Sequence, residues 1–370
     1  LGVTVIREAA RFVDAETVEA GGNRIKARRF VVATGSSPSA PPIPGLDGVD
    51  YFTNETIFDN TTLPAHLIII GGGPIGMEMA QAHRRLGAKV TVLEAFQPLG
   101  KDDPELTAIV VAHLRDESID IRAGAKITCI ARAAKSKSIE ITLEGDDGKA
   151  EKLSGSHLLV AAGRVANVDG LNLEAAGIEY DRRGIKVDKG LRSTNRKVYA
   201  IGDVAGGLQF THVAGYQAGL VIRSILFRLP ISNETRIIPW VTYTDPELAH
   251  IGLTEAQAVE SHPGHKVLRW HFAENDRARA ERRTSGLIKA VVSSKGEILG
   301  CSIVAPNAGD LIQPWAMAIS SGLKIKAMID MVAAYPTFSE VSKRAATSYY
   351  ADLPSRPMVR RIIGWLKIFG

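Results

Sequence analysis

Gly71, Gly73 and Gly76, followed about eighteen residues later by Glu94, have the types and spacing to hold a dinucleotide. The glycines lie in Gly71-Gly72-Gly73-Pro74-Ile75-Gly76, which fits G-x-G-x-x-G. The first permits a tight turn, the second lets backbone approach a pyrophosphate, and the third lets a helix pack closely on a strand. A helix starting there presents free N–H groups to phosphates. A carboxylate at Glu94 can accept hydrogen bonds from both hydroxyls of an adenosine ribose. It would repel the extra phosphate of NADP(H), so NAD(H) is the expected ligand. Glycine-rich turns alone are common, and the discriminating feature is the register of the elements around them. The apolar run Leu67-Ile68-Ile69-Ile70 has the composition of a buried parallel strand. A helical stretch follows the glycines, and a second strand, Lys89 to Leu93, ends at Glu94.

At 370 residues the chain is long enough for about two or three domains. No apolar run approaches the ~18–20 residues that span a bilayer. Cys129 and Cys301 are far apart, so neither a disulfide framework nor C-x-x-C is present, no metal-ligand set is expected, and a reducing cytoplasm fits. The formal charge of +5 is too mild to indicate a nucleic-acid partner. The chain begins with Leu1, in residues that already read as a strand, and is expected to be the latter part of a longer protein.

Residues 1–35 read as β-rich, with strands at Val3 to Ile6, Arg11 to Val13, Thr17 to Glu19 and Phe30 to Ala33. Ser37 to Gly45 is Pro-rich and reads as an extended linker. A helix is expected from Asp103 to Glu117, with Pro104 in its first turn. Strands follow at Ile127 to Ile130, Ile139 to Leu143 and Leu158 to Ala162, with Gly145-Asp146-Asp147-Gly148 as a hairpin turn. Further short strands are expected at Gly184 to Asp188 and Val198 to Ile201, then a helix from about Thr211 to Phe227. Beyond Pro230 the composition shifts to antiparallel-type strands and to helical patterns at Asp310–Ser321 and Ser339–Ala351. This is expected to be a separate α+β domain with one open sheet face.

Several stretches together carry a resemblance. They are the G-x-G-x-x-G unit, the turns Ala33-Thr34-Gly35 and Ala162-Gly163-Arg164, Ile201-Gly202-Asp203-Val204, Thr244-Asp245-Pro246-Glu247 and Ile251-Gly252-Leu253-Thr254. Their order over nearly the whole chain resembles the flavin-dependent pyridine nucleotide–disulfide oxidoreductases, particularly members like dihydrolipoamide dehydrogenase and mercuric reductase. The resemblance implies an α/β fold in which a Rossmann-like NAD domain (51–163) is inserted in a partial FAD domain (1–50 and 164–235). An α+β dimerisation domain (236–370) follows. It implies that Gly202-Asp203 lies along the flavin ribityl chain and that the helix starting at Thr211 points its N-terminus at the flavin. His212 in that stretch is expected to be structural. Thr34-Gly35 would pass near the flavin, and Gly163-Arg164 would lie beside the nicotinamide dinucleotide, although Arg164 reads equally as a solvated charge. Glu78 would pair with a lysine near the flavin that this sequence does not contain; its other reading is a helix-dipole acid.

Three departures qualify the resemblance. The family's N-terminal FAD-binding glycine turn and its C-x4-C redox pair are both absent from this sequence. In Ala333-Ala334-Tyr335-Pro336-Thr337-Phe338-Ser339-Glu340, Tyr335 stands where the family has its acid–base histidine, five residues before the carboxylate matching Glu340. A Glu-oriented imidazole works near neutrality, whereas tyrosine titrates near pH ~10. This weakens lipoamide as a substrate, and the missing C-terminal cysteine pair of mercuric reductases weakens mercury.

The expectation is an NADH-linked flavoprotein oxidoreductase with FAD and NAD as cofactors, passing hydride to a disulfide or another small-molecule acceptor. It would act as a homodimer, with Tyr335 and Glu340 reaching the partner's active site, although this chain alone is expected to lack disulfide turnover. Two readings from other classes stay open: a non-catalytic dinucleotide-binding module, and a flavin NADH oxidase or diaphorase without a dithiol step. The tail from Val359 to Phe369 mixes apolar with basic residues. It could lie on an anionic membrane, but a terminal helix packed on its own protein is the expectation.

Overall fold

The computed structural model describes residues 2–133, 138–145 and 148–369. Asp146 and Asp147 of the expected hairpin turn lie outside them. The chain forms two compact units, Leu1–Pro41 with Ala162–Thr235 and Pro42–Ala161 with Arg236–Gly370. The first crossing falls inside the Pro-rich linker.

The first segment carries β1 (Ala10–Asp14), β2 (Thr17–Ala20) and β3 (Asn23–Lys26), an antiparallel meander, then β4 (Phe30–Val32) and β5 (Ser36–Pro38). Val3 to Ile6, expected as a strand, forms none, and Val3 and Val5 are exposed. Apolar alternation alone does not make a strand; its N–H and C=O groups need a neighbour to pair with.

The second unit opens with β6 (His66–Ile70), α1 (Pro74–Arg85), β7 (Lys89–Glu94), α2 (Pro104–Asp116) and β8 (Asp120–Ala123). An antiparallel insertion, β9 (Lys126–Arg132), β10 (Ile139–Glu144) and β11 (Ala150–Gly155), precedes β12 (His157–Val160). The parallel sheet runs β12-β6-β7-β8. All five β6 residues are buried, which is why an unbroken apolar run was needed there. Strand order reverses between β6 and β12, and the carboxyl ends at such a switch point are where ligands bind in open α/β sheets.

Returning to the first unit, β13 (Arg164–Ala166) pairs with β5, β14 (Tyr180–Asp181) with β15 (Gly184–Ile185), and β16 (Val198–Ala200) with β4 in parallel. Helix α3 (Thr211–Phe227) follows, at its expected limits.

The C-terminal part carries β17 (Trp240–Thr242), β18 (Glu247–Gly252), α4 (Glu255–Ser261), β19 (Lys266–His271), α5 (Asp276–Ala280), β20 (Leu287–Val292) and β21 (Ile298–Ala305). Its antiparallel sheet has the order β17-β18-β21-β20-β19. Helices α6 (Ala308–Leu311), α7 (Gln313–Ser320), α8 (Ile325–Asp330), α9 (Glu340–Thr347) and α10 (Pro357–Leu366) complete it. The expected single helix Asp310–Ser321 is broken at Ile312, because Pro314 supplies no N–H and starts a new helix.

The open sheet face expected here is absent: every residue of β20 and β21 is buried. One face packs on Trp315, Ile319 and Ala345. From the other, Leu248, Leu287 and Val304 share a core with Leu106, Val110 and Leu114 of α2. The dinucleotide segment and the C-terminal sheet therefore cover each other's apolar surface.

The tail departs from expectation in the opposite sense. No residue of α10 is buried, so it is not a terminal helix packed on its own chain.

Candidate functional site

The turn after β6 is shaped by two glycines that nothing else replaces. Gly71 has φ +109°, a region L side chains rarely adopt. At Gly76, a Cβ would sit 1.9 Å from the Gly71 carbonyl oxygen. Gly73 is the N-cap of α1, no side chain caps that helix, and nothing lies within 4 Å on the side a Cβ would occupy. Space and free N–H donors thus coincide where a pyrophosphate needs both. At the end of β7, Glu94 Oε2 accepts from Gly72 N at 2.6 Å and Oε1 from Phe96 N at 2.9 Å. A carboxylate has about four acceptor positions, so two bonds leave capacity for ribose hydroxyls. Gly71, Gly73, Gly76 and Glu94 come together, and this cradle fits NAD.

Glu78 lies beyond the first turn of α1, so a first-turn dipole role does not describe it. Its Oε1 accepts from Tyr243 N at 2.8 Å, and partial burial raises its pKa against that bond. No ion pair of Glu78 occurs among the described residues.

In the first unit, the loop after β4 is locked to the loop after β13. Thr34 Oγ1 donates to Asn167 O at 2.7 Å, Asn167 Nδ2 donates to Thr34 O at 2.9 Å, and Asn167 N donates to Gly35 O at 3.0 Å. Gly35 takes φ +71°. The Gly163 carbonyl accepts from Ser39 N at 3.0 Å. Arg164 is not a solvated charge: Nε donates to Ser36 Oγ at 2.7 Å and Nη2 to Ser36 O at 2.6 Å. Ser36 Oγ in turn donates to Asp203 Oδ2 at 2.5 Å, and Arg164 Nε lies 3.9 Å from that oxygen. The relay fixes the Asp203 carboxylate at the carboxyl end of the β4–β16 pair. Gly202 N donates to Gln217 Oε1 at 2.7 Å, tying the turn to α3. Thr211 opens α3 with no side-chain cap, Val213 N donates to Phe210 O at 3.0 Å, and His212 stacks on Phe210 at 5.3 Å. A fixed carboxylate and an uncapped helix end fit the hydroxyl-accepting and ring-edge parts of a flavin site.

Tyr335 is 70% exposed, and its hydroxyl donates to Asp276 Oδ2 at 3.0 Å. The accepting carboxylate and its charge raise the tyrosine pKa, with a smaller contribution from Glu340. Glu340 is the first residue of α9. At neutral pH Tyr335 is therefore a donor and not a base.

Residues 1–218 match the family described as pyridine nucleotide-disulphide oxidoreductase, and residues 238–346 match its dimerisation domain. The chain belongs to the pyridine nucleotide-disulphide oxidoreductase family. It is 36% identical over 355 residues to a mercuric reductase of Bacillus cereus, covering 95% of this chain and 56% of that protein. A dihydrolipoyl dehydrogenase of Chlorobaculum parvum is 34% identical over 347 residues, covering 92% and 72%. Among solved structures, the Cu(II) complex of the HOCl-induced flavoprotein disulfide reductase RclA of Escherichia coli superposes with a TM-score of 0.86 at 30% identity. That superposition covers 93% of this chain and 79% of RclA. The chain spans little more than half of the Bacillus cereus protein's length.

Pyridine nucleotide-disulphide oxidoreductases use FAD and NAD(P)H, and the two groups of residues above lie one in each unit. Sequence reasoning missed Ser36, Asn167, Gln217 and Asp276. Ser36 directly follows Thr34-Gly35 and was within reach of a motif reading. Asn167, Gln217 and Asp276 act on partners at least fifteen residues away, and no local pattern announces them.

Proposed function

We propose that this protein is an NADH-linked flavoprotein oxidoreductase that acts as a homodimer. FAD, held by the residues named below, would supply a hydride acceptor for NADH and an electron donor for a disulfide or another acceptor. The observation that carries this reading is the Glu94 carboxylate, anchored on two backbone N–H groups beside the open side of Gly73. That arrangement suits a ribose with two free hydroxyls and disfavours one bearing a phosphate.

The chain's own residues divide the work. The α1 N-terminus and Gly71-Gly73-Gly76 bind the NADH pyrophosphate, and Glu94 orients its ribose. Arg164 and Ser36 hold Asp203 where it accepts a ribityl hydroxyl. The uncapped start of α3 at Thr211 offers N–H groups and a positive helix end to negative charge on a reduced flavin ring. Gly163 and Thr34-Gly35 shape the turns beside these groups. At the C-terminal site Tyr335, protonated at neutral pH, donates its O–H to a bound acceptor in place of Asp276, with Glu340 adding negative potential. The match to the dimerisation domain supports this site working across a homodimer.

Anaerobic titration of the purified protein with NADH tests the reading. With FAD supplied, a yellow absorption should bleach with NADH and return on adding an acceptor, whereas return with a disulfide requires the C-x4-C pair that this sequence lacks. A colourless protein that binds NADH would favour a non-catalytic module. Return of colour with oxygen but with no disulfide tried would favour an oxidase.

A further inference from the structure

Helix α10 and the turn after it divide into two faces, apart from the exposed Ile368, which falls among the basic residues. At 3.6 residues per turn, Met358, Ile362, Ile363, Trp365, Leu366 and Phe369 fall on one arc of roughly 160°. Arg356, Arg360 and Lys367 cluster on the opposite face, with Arg361 at its border. The apolar residues named are between 45% and 75% exposed, and no residue of α10 is buried. Trp365 and Phe369 pack edge to face at 5.1 Å, holding an aromatic end on the apolar face. The sequence from 353 to 370 contains four basic residues and no Asp or Glu. This segment lies beyond the residues that match the dimerisation domain, which end at 346.

We infer that α10 is a peripheral membrane anchor that lies in the interface of an anionic lipid bilayer. Charge complementarity selects this occupant: a cationic face without a single carboxylate calls for an anionic surface, and lipid headgroups present one continuous with an apolar layer. An arc this broad, with Trp365 at its edge, suits sinking into an acyl boundary. A seam between two helices is narrower, with apolar residues at only two positions per heptad. The helix is too short to cross the bilayer, so it would lie along the surface. Held there, the enzyme would meet acceptors dissolved in or docked on the membrane.

Vesicle flotation of the full 370-residue chain tests the inference. The protein should float with vesicles of phosphatidylcholine mixed with phosphatidylglycerol and stay behind with phosphatidylcholine alone. Salt at about 0.5 M should weaken flotation, because screening shortens the range of the attraction. The double variant Arg360→Glu/Arg361→Glu should bind on the order of 30-fold more weakly or worse. Trp365→Ala/Phe369→Ala should lose flotation while leaving NADH affinity unchanged, which shows that the rest of the chain is folded. Failure to float with anionic vesicles overturns the inference, as does equal flotation of the charge-reversed variant. A native mass by light scattering that falls for Ile362→Asp/Trp365→Asp, without vesicle binding by the parent, would assign the face to a second copy of this chain instead.

Discussion

Glu94 and Gly72 form one unit: the Glu94 Oε2 atom accepts the Gly72 N–H at 2.6 Å, and a Cβ at position 72 would lie within 3.0–3.2 Å of the Glu94 side chain. The carboxylate proposed to read the ribose is therefore held by backbone, and the glycine that holds it is the middle one of Gly71-Gly72-Gly73. Preorganised charge of this kind discriminates between ligands more sharply than a mobile side chain.

NADH should bind more tightly than NADPH, and Glu94→Ala should narrow the difference. The variant loses two charge-assisted bonds to ribose hydroxyls, so NADH should weaken by about 10- to 100-fold. Fluorescence titration with both nucleotides checks this, and equal dissociation constants for the parent protein would remove the proposed role of Glu94.

Gly76→Ala should damage both folding and binding. Its methyl would lie 1.9 Å from the Gly71 carbonyl oxygen, backbone that cannot swing aside like a side chain. A loss of roughly 1–3 kcal/mol or more is expected from such overpacking. Urea denaturation and NADH titration of the variant measure the two effects.

Tyr335→Phe removes the donor to Asp276 and keeps the ring. A modest loss of turnover with the acceptor is expected, while NADH affinity stays unchanged. Because Asp276 raises the Tyr335 pKa, the parent's pH–rate profile should lack a near-neutral limb from this residue. Tyr335→His should introduce one and raise activity toward small dithiols if Glu340 orients the imidazole. Steady-state rates across pH for the three proteins separate these outcomes, and a parent-like rate for Tyr335→Phe throughout would exclude the hydroxyl role.

His250 should make the protein acid-sensitive. It is buried in β18, with Ser302 Oγ at 2.7 Å from Nδ1, Gly252 O at 3.0 Å from Nε2 and the Trp240 ring beside it. Burial lowers its pKa from 6.5 to about 4. The unfolded chain therefore takes up a proton that the folded chain refuses between these values. The stability is fully present above pH 6.5 and is lost as pH falls toward 4, by on the order of 3 kcal/mol. Urea denaturation across this range should show a flatter acid slope for His250→Gln.

Lys289→Met should destabilise the second unit. This buried ammonium lies 2.8 Å from Asp103 Oδ2, 2.8 Å from Glu105 Oε2 and 2.6 Å from Glu255 Oε2. Asp103 is itself buried and caps α2 by accepting from Glu105 N, so it would be left charged without its cation. A loss of about 3–5 kcal/mol is expected from denaturant unfolding, and Asp103→Asn in the Lys289→Met background should restore part of it.

By itself the sequence determined the glycine turn and the acid that follows it, the strand, helix and strand that carry them, and both ends of α3. Those features rest on local physics: glycine's reach in φ, apolar runs, a proline and an aspartate starting a helix, and the fixed distance from a strand's glycine turn to the acid ending the next strand. The tertiary structure alone decided the rest. It closed the sheet face that strand composition left open, because the covering side chains of α2 lie more than a hundred residues earlier. It left Val3 to Ile6 without a partner strand and α10 without a core. It joined Arg164 to Asp203 through Ser36 and turned Tyr335 toward Asp276. Such pairings depend on which distant segments fold against each other, and a chain read residue by residue carries no signal for them.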